Sequence, residues 1–590
     1  MGKFKKLAAL ALCGALMANC SGCSYFYTIE KEGNEPADTF DDFCDNILTD
    51  ILEDDALNTH YTVTNPWDYG VKFDEDDYTL GSVDLEEAEE SYEEMRDVLK
   101  QLKSYDYDNL SKQQKITYDV LESYINKQLA FEGTDELVSL FSPNSGIISN
   151  LSTTFIEYQF YEVDDVEEYL LFLADTDNYM EEVFEFTKYQ AEKGYFIPDE
   201  VADEVIEQCE KYIESENEPL IITFEDKINQ LDISDDEKED YIERNKKCVQ
   251  KEYLPIYQDT IDLLEDLKGS CVNDGGLCGY GSVGKKYYEA IVATKTSSDM
   301  TPKEMAEYLD DAMDEVMLEM SVIYSLDEQT YMDYFDYKPK FKTPAEVTEF
   351  ILENMENKFP TPPTKEYRIE YQNPACEIEG TLAYYLLARI DDISVNNIKV
   401  NGSAVKDDPM TLYFTMAHEG FPGHLYQYTS MFDNDEICDL RKTLSFIGVT
   451  EGWAEYASTE CAEYLNVSDN MEKMIYLNDI FGYILCSRVD VGVNYQDWDV
   501  DDVYDYLKDY IDVDDEVAES MFYTAVGDPG IYLPYTVGHL LMRDLREETE
   551  EELGDKFDEL EYHTFIIELG VVPFDVLERE VDEWASAQTK

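Results

Sequence analysis

The sequence predicts a mostly α-helical protein, a large array of helices with one small β-sheet. Three observations carry this. From Thr39 onward, apolar residues recur every three or four positions along most of the chain, the period of a helix with one buried face. Helix-start signals recur with them: Ser234-Asp-Asp-Glu237 is a capping box, and Thr301-Pro302 and Thr343-Pro344 each set a cap before a first-turn proline. Candidate strands are short and confined to residues 366–402.

Taken in order, residues 1–23 read as an export signal. Lys3, Lys5 and Lys6 precede an apolar run at 7–18, too short to span a bilayer comfortably. It ends at Asn19-Cys20-Ser21-Gly22-Cys23. Small residues before a cysteine resemble a bacterial lipoprotein processing site, so Cys23 and Cys20 are the lipidation candidates. The expectation is an extracytoplasmic protein held at the cell surface by a lipid anchor; a cleaved signal and a secreted protein is the alternative.

Residues 24–38 read as a tether and 39–268 as an N-terminal helical lobe. Phe40, Phe43, Ile47 and Ile51 start its helical stripes, and further helices are expected over 85–102, 112–131, 166–193, 198–214 and 254–268. The Gly-rich stretch 269–284 has no phosphate-loop pattern and reads as a loop. Residues 285–590 form the second lobe of one continuous domain. Short strands are expected at 367–371, 383–387 and 398–400, beside a helix over 411–419. Helices follow from His424 and over 470–483, 499–510, 514–524, 532–550 and 572–587.

Composition excludes several functions. The chain has 590 residues, 44% hydrophobic, with 133 acidic against 44 basic side chains and a formal net charge of −89. That charge opposes nucleic-acid binding, which requires phosphate neutralisation, and opposes docking on anionic lipid. Membrane association is therefore expected only through the anchor. The acidity can steer cationic peptides; a solvated acidic surface is the plainer reading. Disorder is unexpected with 47 Tyr and 27 Phe. Twelve cysteines are present. Cys271 and Cys278 flank a loop short enough to close as a disulfide after export; buried free thiols are the alternative.

The segment carrying chemistry is His418-Glu419-Gly420-Phe421-Pro422-Gly423-His424, which holds two of only five histidines. Glu451-Gly452-Trp453-Ala454-Glu455-Tyr456 follows it. A catalytic zinc takes three protein ligands and keeps one open position. His418, His424 and Glu451 can fill those roles, and Glu419 can act as general base. The two histidines are six apart, so on one ideal helix they would be turned by roughly 600° and face different sides. Pro422 disfavours helix at Phe421, and Gly420 and Gly423 permit unusual backbone. These residues predict a break at 420–423 that swings His424 back toward His418. Glu451 and Glu455 share a helix face, so one can bind metal while the other orients a histidine. Two satisfied histidines in a polar core are the plain alternative.

HEGFPGH followed by TEGWAEY resembles the bacterial domain-of-unknown-function family 885, a group of zinc peptidase-like proteins. Gly284-Lys-Lys-Tyr-Tyr288, Met300-Thr-Pro-Lys-Glu304, Arg488-Val-Asp-Val-Gly-Val-Asn494 with Trp498, and Pro529-Gly530 with Tyr535 and Gly538 are similar to further family segments. The resemblance implies a gluzincin-like metallopeptidase fold, one zinc ion on His418, His424 and Glu451, and Glu419 as base. The choice of Glu451 over Glu455 follows a further likeness, to the Asn-Glu-Gly-Phe-Ala helix of zinc aminopeptidases. Tyr535 is the implied oxyanion-stabilising group, with His539 as a second candidate. The chain departs from the family pattern at Asn494, where a histidine is usual, and at 391–396. Arg488 and Asp490 can anchor a substrate terminus or form an internal ion pair. The expected activity is zinc-dependent peptide hydrolysis; a non-peptidase zinc hydrolase and an inactive surface binding protein are the alternatives.

Overall fold

The computed structural model describes residues 39–214, 218–377, 381–406 and 408–589. The export signal, the tether and both lipidation candidates, Cys20 and Cys23, lie outside them. The fold is mostly helical with one three-stranded sheet.

Helices start where the caps predict. Thr39 and Asp42 exchange side-chain and backbone bonds at the head of helix Phe40–Asp54, which buries Phe40, Phe43 and Ile47. Ser234 and Glu237 do the same for Asp235–Cys248, and Thr301 and Glu304 for Pro302–Leu326.

Three large hydrophobic cores organise the described helices. One packs the helices from Ile147 to Leu267, with Ala56, Leu57 and Leu80, around Phe155, Tyr169, Leu173, Phe224 and Tyr253. Another unites Ser282–Lys295, Pro302–Leu326 and Asp469–Gln496. The third joins Phe40, Phe43, Ile47 and Val120 to the sheet, the helices of both motifs and Val576 near the C-terminus. The first described helix, Phe40–Asp54, is thus part of the core that holds the motif segment.

The strands are β1 (Arg368–Tyr371), β2 (Ala383–Leu386) and β3 (Asn397–Val400). Their order is β1-β3-β2. β1 runs parallel to β3, with Ile369 opposite Ile398, and β2 runs antiparallel, with Tyr385 opposite Ile398. β2 is therefore an edge strand.

One expectation needs correction and one open alternative is decided. The helix expected over 470–483 continues to Gln496, as Asp469–Gln496. Val489, Val491 and Val493 alternate with polar residues and look strand-like, but every residue from Ser487 to Asn494 is buried. Packing on all sides overrides the weak helix propensity of valine. Of the two readings of Cys271 and Cys278, the free thiols hold and no bridge joins them. The Cys271 thiol meets Asn273 O and the Cys278 thiol meets Val493 O, while the Asn273 amide bonds Gly275 O and Gly276 O and shapes the loop. That loop ends at Ser282, where helix Ser282–Lys295 begins.

No described helix is long and apolar enough to cross a membrane.

Candidate metal centre

The break in HEGFPGH is where the glycines and proline demand it. Helix Pro409–Glu419 ends at Gly420 (φ −103°, ψ −105°), and helix His424–Phe432 begins after Gly423 (φ −81°, ψ −133°). Gly423 N–H bonds Ala417 O at 3.0 Å. A Cβ on Gly423 would stand 1.8 Å from His418 O, so only glycine allows this fold-back. Trp453 Nε1 donates to Pro422 O at 2.9 Å and pins the break onto the second motif helix, Ile447–Glu460.

The outcome is convergence. The His418 and His424 rings lie 4.6 Å apart, edge to face. His418 Nε2 and His424 Nε2 each approach Glu451 Oε2 at 3.3 Å. Donor atoms of His418, His424 and Glu451 all lie within 4.8 Å of one another, and all three residues are buried. Neither His418 Nε2 nor Glu451 Oε2 has a further hydrogen-bond partner. Buried polar atoms left this way are costly, and a shared cation satisfies them together.

Charge points the same way. Burial opposes charging His418, yet Glu455, Glu451 and Glu419 outweigh it and push its pKa up to about 10. Burial raises Glu451, but His424 and His418 pull it down to about 2. Three buried glutamates around two imidazoles make the pocket favour positive charge, which the raised His418 pKa registers.

The flanking groups are held firmly. Glu419 Oε2 accepts from Tyr385 N at 2.9 Å, so β2 fixes the carboxylate beside the histidines, 3.9 Å from His418 Nε2. Burial raises the Glu419 pKa, as suits a base. Glu455 Oε1 meets His418 Nδ1 at 3.4 Å and accepts from Tyr483 OH at 3.0 Å. Glu455 thus orients the far side of the His418 ring.

Glycine packing brings the remaining wall close. A Cβ on Gly452 would stand 2.4 Å from Gly538 C, and one on Gly538 would stand 2.0 Å from Gly448 O. Helices Ile447–Glu460 and Leu533–Leu553 therefore cross nearly backbone to backbone. Tyr535, one turn before Gly538, stacks on Tyr483 with centroids 5.9 Å apart. A cavity of about 610 Å³ meets the site; His424, Glu451, Tyr535, Tyr428 and Tyr385–Ala388 line it.

His539 does not reach this cavity. It is fully buried behind the site, where its donor atoms group with those of Glu455 and Asp479. Burial and Arg543 lower its pKa to about 3. Arg488 does form an internal ion pair, but with Asp310 (2.7 Å), and its guanidinium stacks over Trp498. Asp490 instead accepts from Tyr288 OH and from Gly530 N at 2.7 Å. Asn494 is a clamp: Nδ2 donates to Ala525 O at 2.8 Å, and Oδ1 accepts from Leu277 N at 3.0 Å. Sequence reasoning missed the Tyr385 amide, Tyr483, Asp479 and Tyr428. A tyrosine or a backbone amide carries no spacing signal, so only the fold reveals them.

Asp490 gives a stability prediction. Burial pushes its pKa up to about 7, above the ordinary carboxyl value in the unfolded chain. Its contribution to stability is present at acid pH and lost as pH rises from about 4 through 7. The Asp490→Asn protein gains stability relative to wild type over that window in denaturant melts. A difference independent of pH would contradict the assignment.

The sequence profile described as "Bacterial protein of unknown function (DUF885)" matches residues 67–581. The chain belongs to this family. Among solved structures, this DUF885 chain is similar to a candidate lipoprotein from Colwellia psychrerythraea. The TM-score is 0.78 at 19% identity, over 93% of this chain and 99% of that chain. It is also similar to a candidate lipoprotein of unknown function from Shewanella oneidensis, with a TM-score of 0.62 at 16% identity, over 92% and 99%. At these identities the likeness shows the fold alone. No curated protein matches the chain.

Proposed function

We propose that this DUF885 chain is a zinc-dependent peptidase acting outside the cytoplasm. The observation that carries the reading is the convergence of His418, His424 and Glu451 with Glu419 held beside them. Two imidazoles and one carboxylate suit zinc, and His418 Nε2 and Glu451 Oε2, which make no hydrogen bond beyond the 3.3 Å approaches within this cluster, are the atoms such an ion would satisfy. Bound there, zinc would supply Lewis acidity toward a carbonyl and lower the pKa of water.

The chain's own groups do the rest. Glu419 takes a proton from the attacking water and passes it to the leaving amine; the Tyr385 amide keeps its carboxylate aimed. Glu455 fixes the His418 ring through Nδ1. The Tyr535 hydroxyl, at the cavity wall, donates to the oxyanion as it develops. β2 is an edge strand at the same wall, so an extended peptide can add to it by main-chain hydrogen bonds. This edge favours a peptide over another amide or an ester. Export by a lipidated N-terminus agrees with the signal-like residues 1–23 and with the lipoprotein descriptions of the similar structures.

Digestion of a peptide library by the zinc-loaded chain, with and without a chelator, tests the reading. Cleavage that stops with chelator and returns with zinc is expected. A chain that holds zinc yet leaves every peptide intact would contradict it.

Tyr483→Phe tests the positioning role of Glu455. Losing the 3.0 Å bond frees the carboxylate, and zinc affinity falls about tenfold in competition with a chelating dye. An unchanged affinity would remove Glu455 from the account.

A further inference from the structure

Lys295 ends helix Ser282–Lys295, and its side chain lines the cavity shared with His424, Glu451 and Tyr535. Its stem runs along the Pro529-Gly530 turn, with Cγ 3.6 Å from where a Cβ on Gly530 would stand. Acids outnumber bases by 133 to 44 in this chain, so a lysine at a cavity wall should find a carboxylate easily. Among the described residues, Lys295 makes no ion pair and no hydrogen bond through its ammonium. The other lysine at the cavity wall, Lys442, pairs with Asp439 at 3.0 Å.

The nearest acids are already committed. Asp528 accepts four bonds from the backbone and side chains of Asn144 and Ser145. Glu451 faces His418 and His424. Both act on Lys295 only through space, while burial pulls its pKa below the usual lysine value. An ammonium half-buried at a cavity wall and without a carboxylate partner is held there at some cost. A bound anion removes that cost and forms a charge-assisted hydrogen bond. The cavity, about 610 Å³, is of a size that encloses a small ligand.

We propose that Lys295 is the carboxylate anchor of the cavity, taking the C-terminal carboxylate of a short peptide whose scissile bond lies at His424 and Glu451. The proposal rests on the peptidase reading for its substrate and makes the activity one directed at peptide C-termini.

Calorimetry with trialanine and trialaninamide tests it, using the zinc-loaded full chain carrying Glu419→Gln. Trialanine is expected to bind at least about tenfold more tightly than its amide. Adding Lys295→Met abolishes the preference, and adding Lys295→Arg restores part of it, each with the zinc content and melting temperature of the parent. Equal affinity for the two peptides, no binding of either, or a preference that survives Lys295→Met overturns the anchor. A Lys295→Met protein that loses zinc yet keeps the preference makes Lys295 a counter-ion of the metal cluster and also overturns it. Cleavage of trialanine by the zinc-loaded wild type is scored separately. Selective binding without cleavage keeps the anchor and contradicts the peptidase, whereas cleavage without selectivity does the reverse.

Discussion

Glu419→Gln lowers peptide turnover by about a thousandfold and leaves both the fold and the zinc content intact. General-base removal costs this much when water has no other acceptor for its proton. Among the described residues, the other carboxylates at the centre are committed: Glu451 faces both histidines, and Glu455 is bound to His418 and Tyr483. The substitution keeps the side-chain length and one oxygen for the Tyr385 amide, now at 2.9 Å from Glu419 Oε2, so β2 stays in place. It leaves His418, His424 and Glu451 untouched. Rate measurement beside metal analysis of the same preparation separates the two roles. A variant that loses zinc and activity together would make Glu419 a ligand or a structural group.

Gly423→Ala is the second large effect, and it acts on geometry. The new Cβ would stand 1.8 Å from His418 O and 2.7 Å from Ala417 O. Both contacts are backbone, so no rotamer relieves them and the fold-back must open. Overpacking of this kind costs about 3 kcal/mol or more, and the displaced His424 lowers zinc affinity by about a hundredfold. Gly420→Ala is the comparison. Its Cβ would meet Met416 O at 2.8 Å and the flexible Ile398 Cδ1 at 3.3 Å, a milder conflict. Melting temperature and zinc affinity fall in the order wild type, Gly420→Ala, Gly423→Ala. The reverse order would mean that the approach of Gly423 to His418 does not hold the site together.

Much of the centre is legible in the sequence because its constraints are local. Six-residue spacing around Gly420, Pro422 and Gly423 requires a break between two helices, and the break is there. Glu451 and Glu455, four apart, do share a face and approach His418 from two sides. The short strands are also legible, since β-prone runs bounded by turns stand out among amphipathic helices. What sequence does not reveal is long-range. The Tyr385 amide reaches Glu419 only because β2 packs on helix Pro409–Glu419. Tyr483 reaches Glu455 from a separate helix, Asp469–Gln496, 28 residues further along the chain. His539 follows Tyr535 by four residues, yet it turns toward Asp479 while Tyr535 faces the cavity. Gly452 and Gly538 read as ordinary helix glycines until the close crossing of their backbones gives each a reason.

Zinc stoichiometry of the full chain and of His424→Ala, measured by plasma mass spectrometry after loading and desalting, tests the centre most directly. One zinc per wild-type chain is expected, with its loss from His424→Ala and helical content unchanged by circular dichroism. A wild-type chain that retains no zinc, or a His424→Ala chain that retains all of it, would contradict a metal centre built on His418, His424 and Glu451.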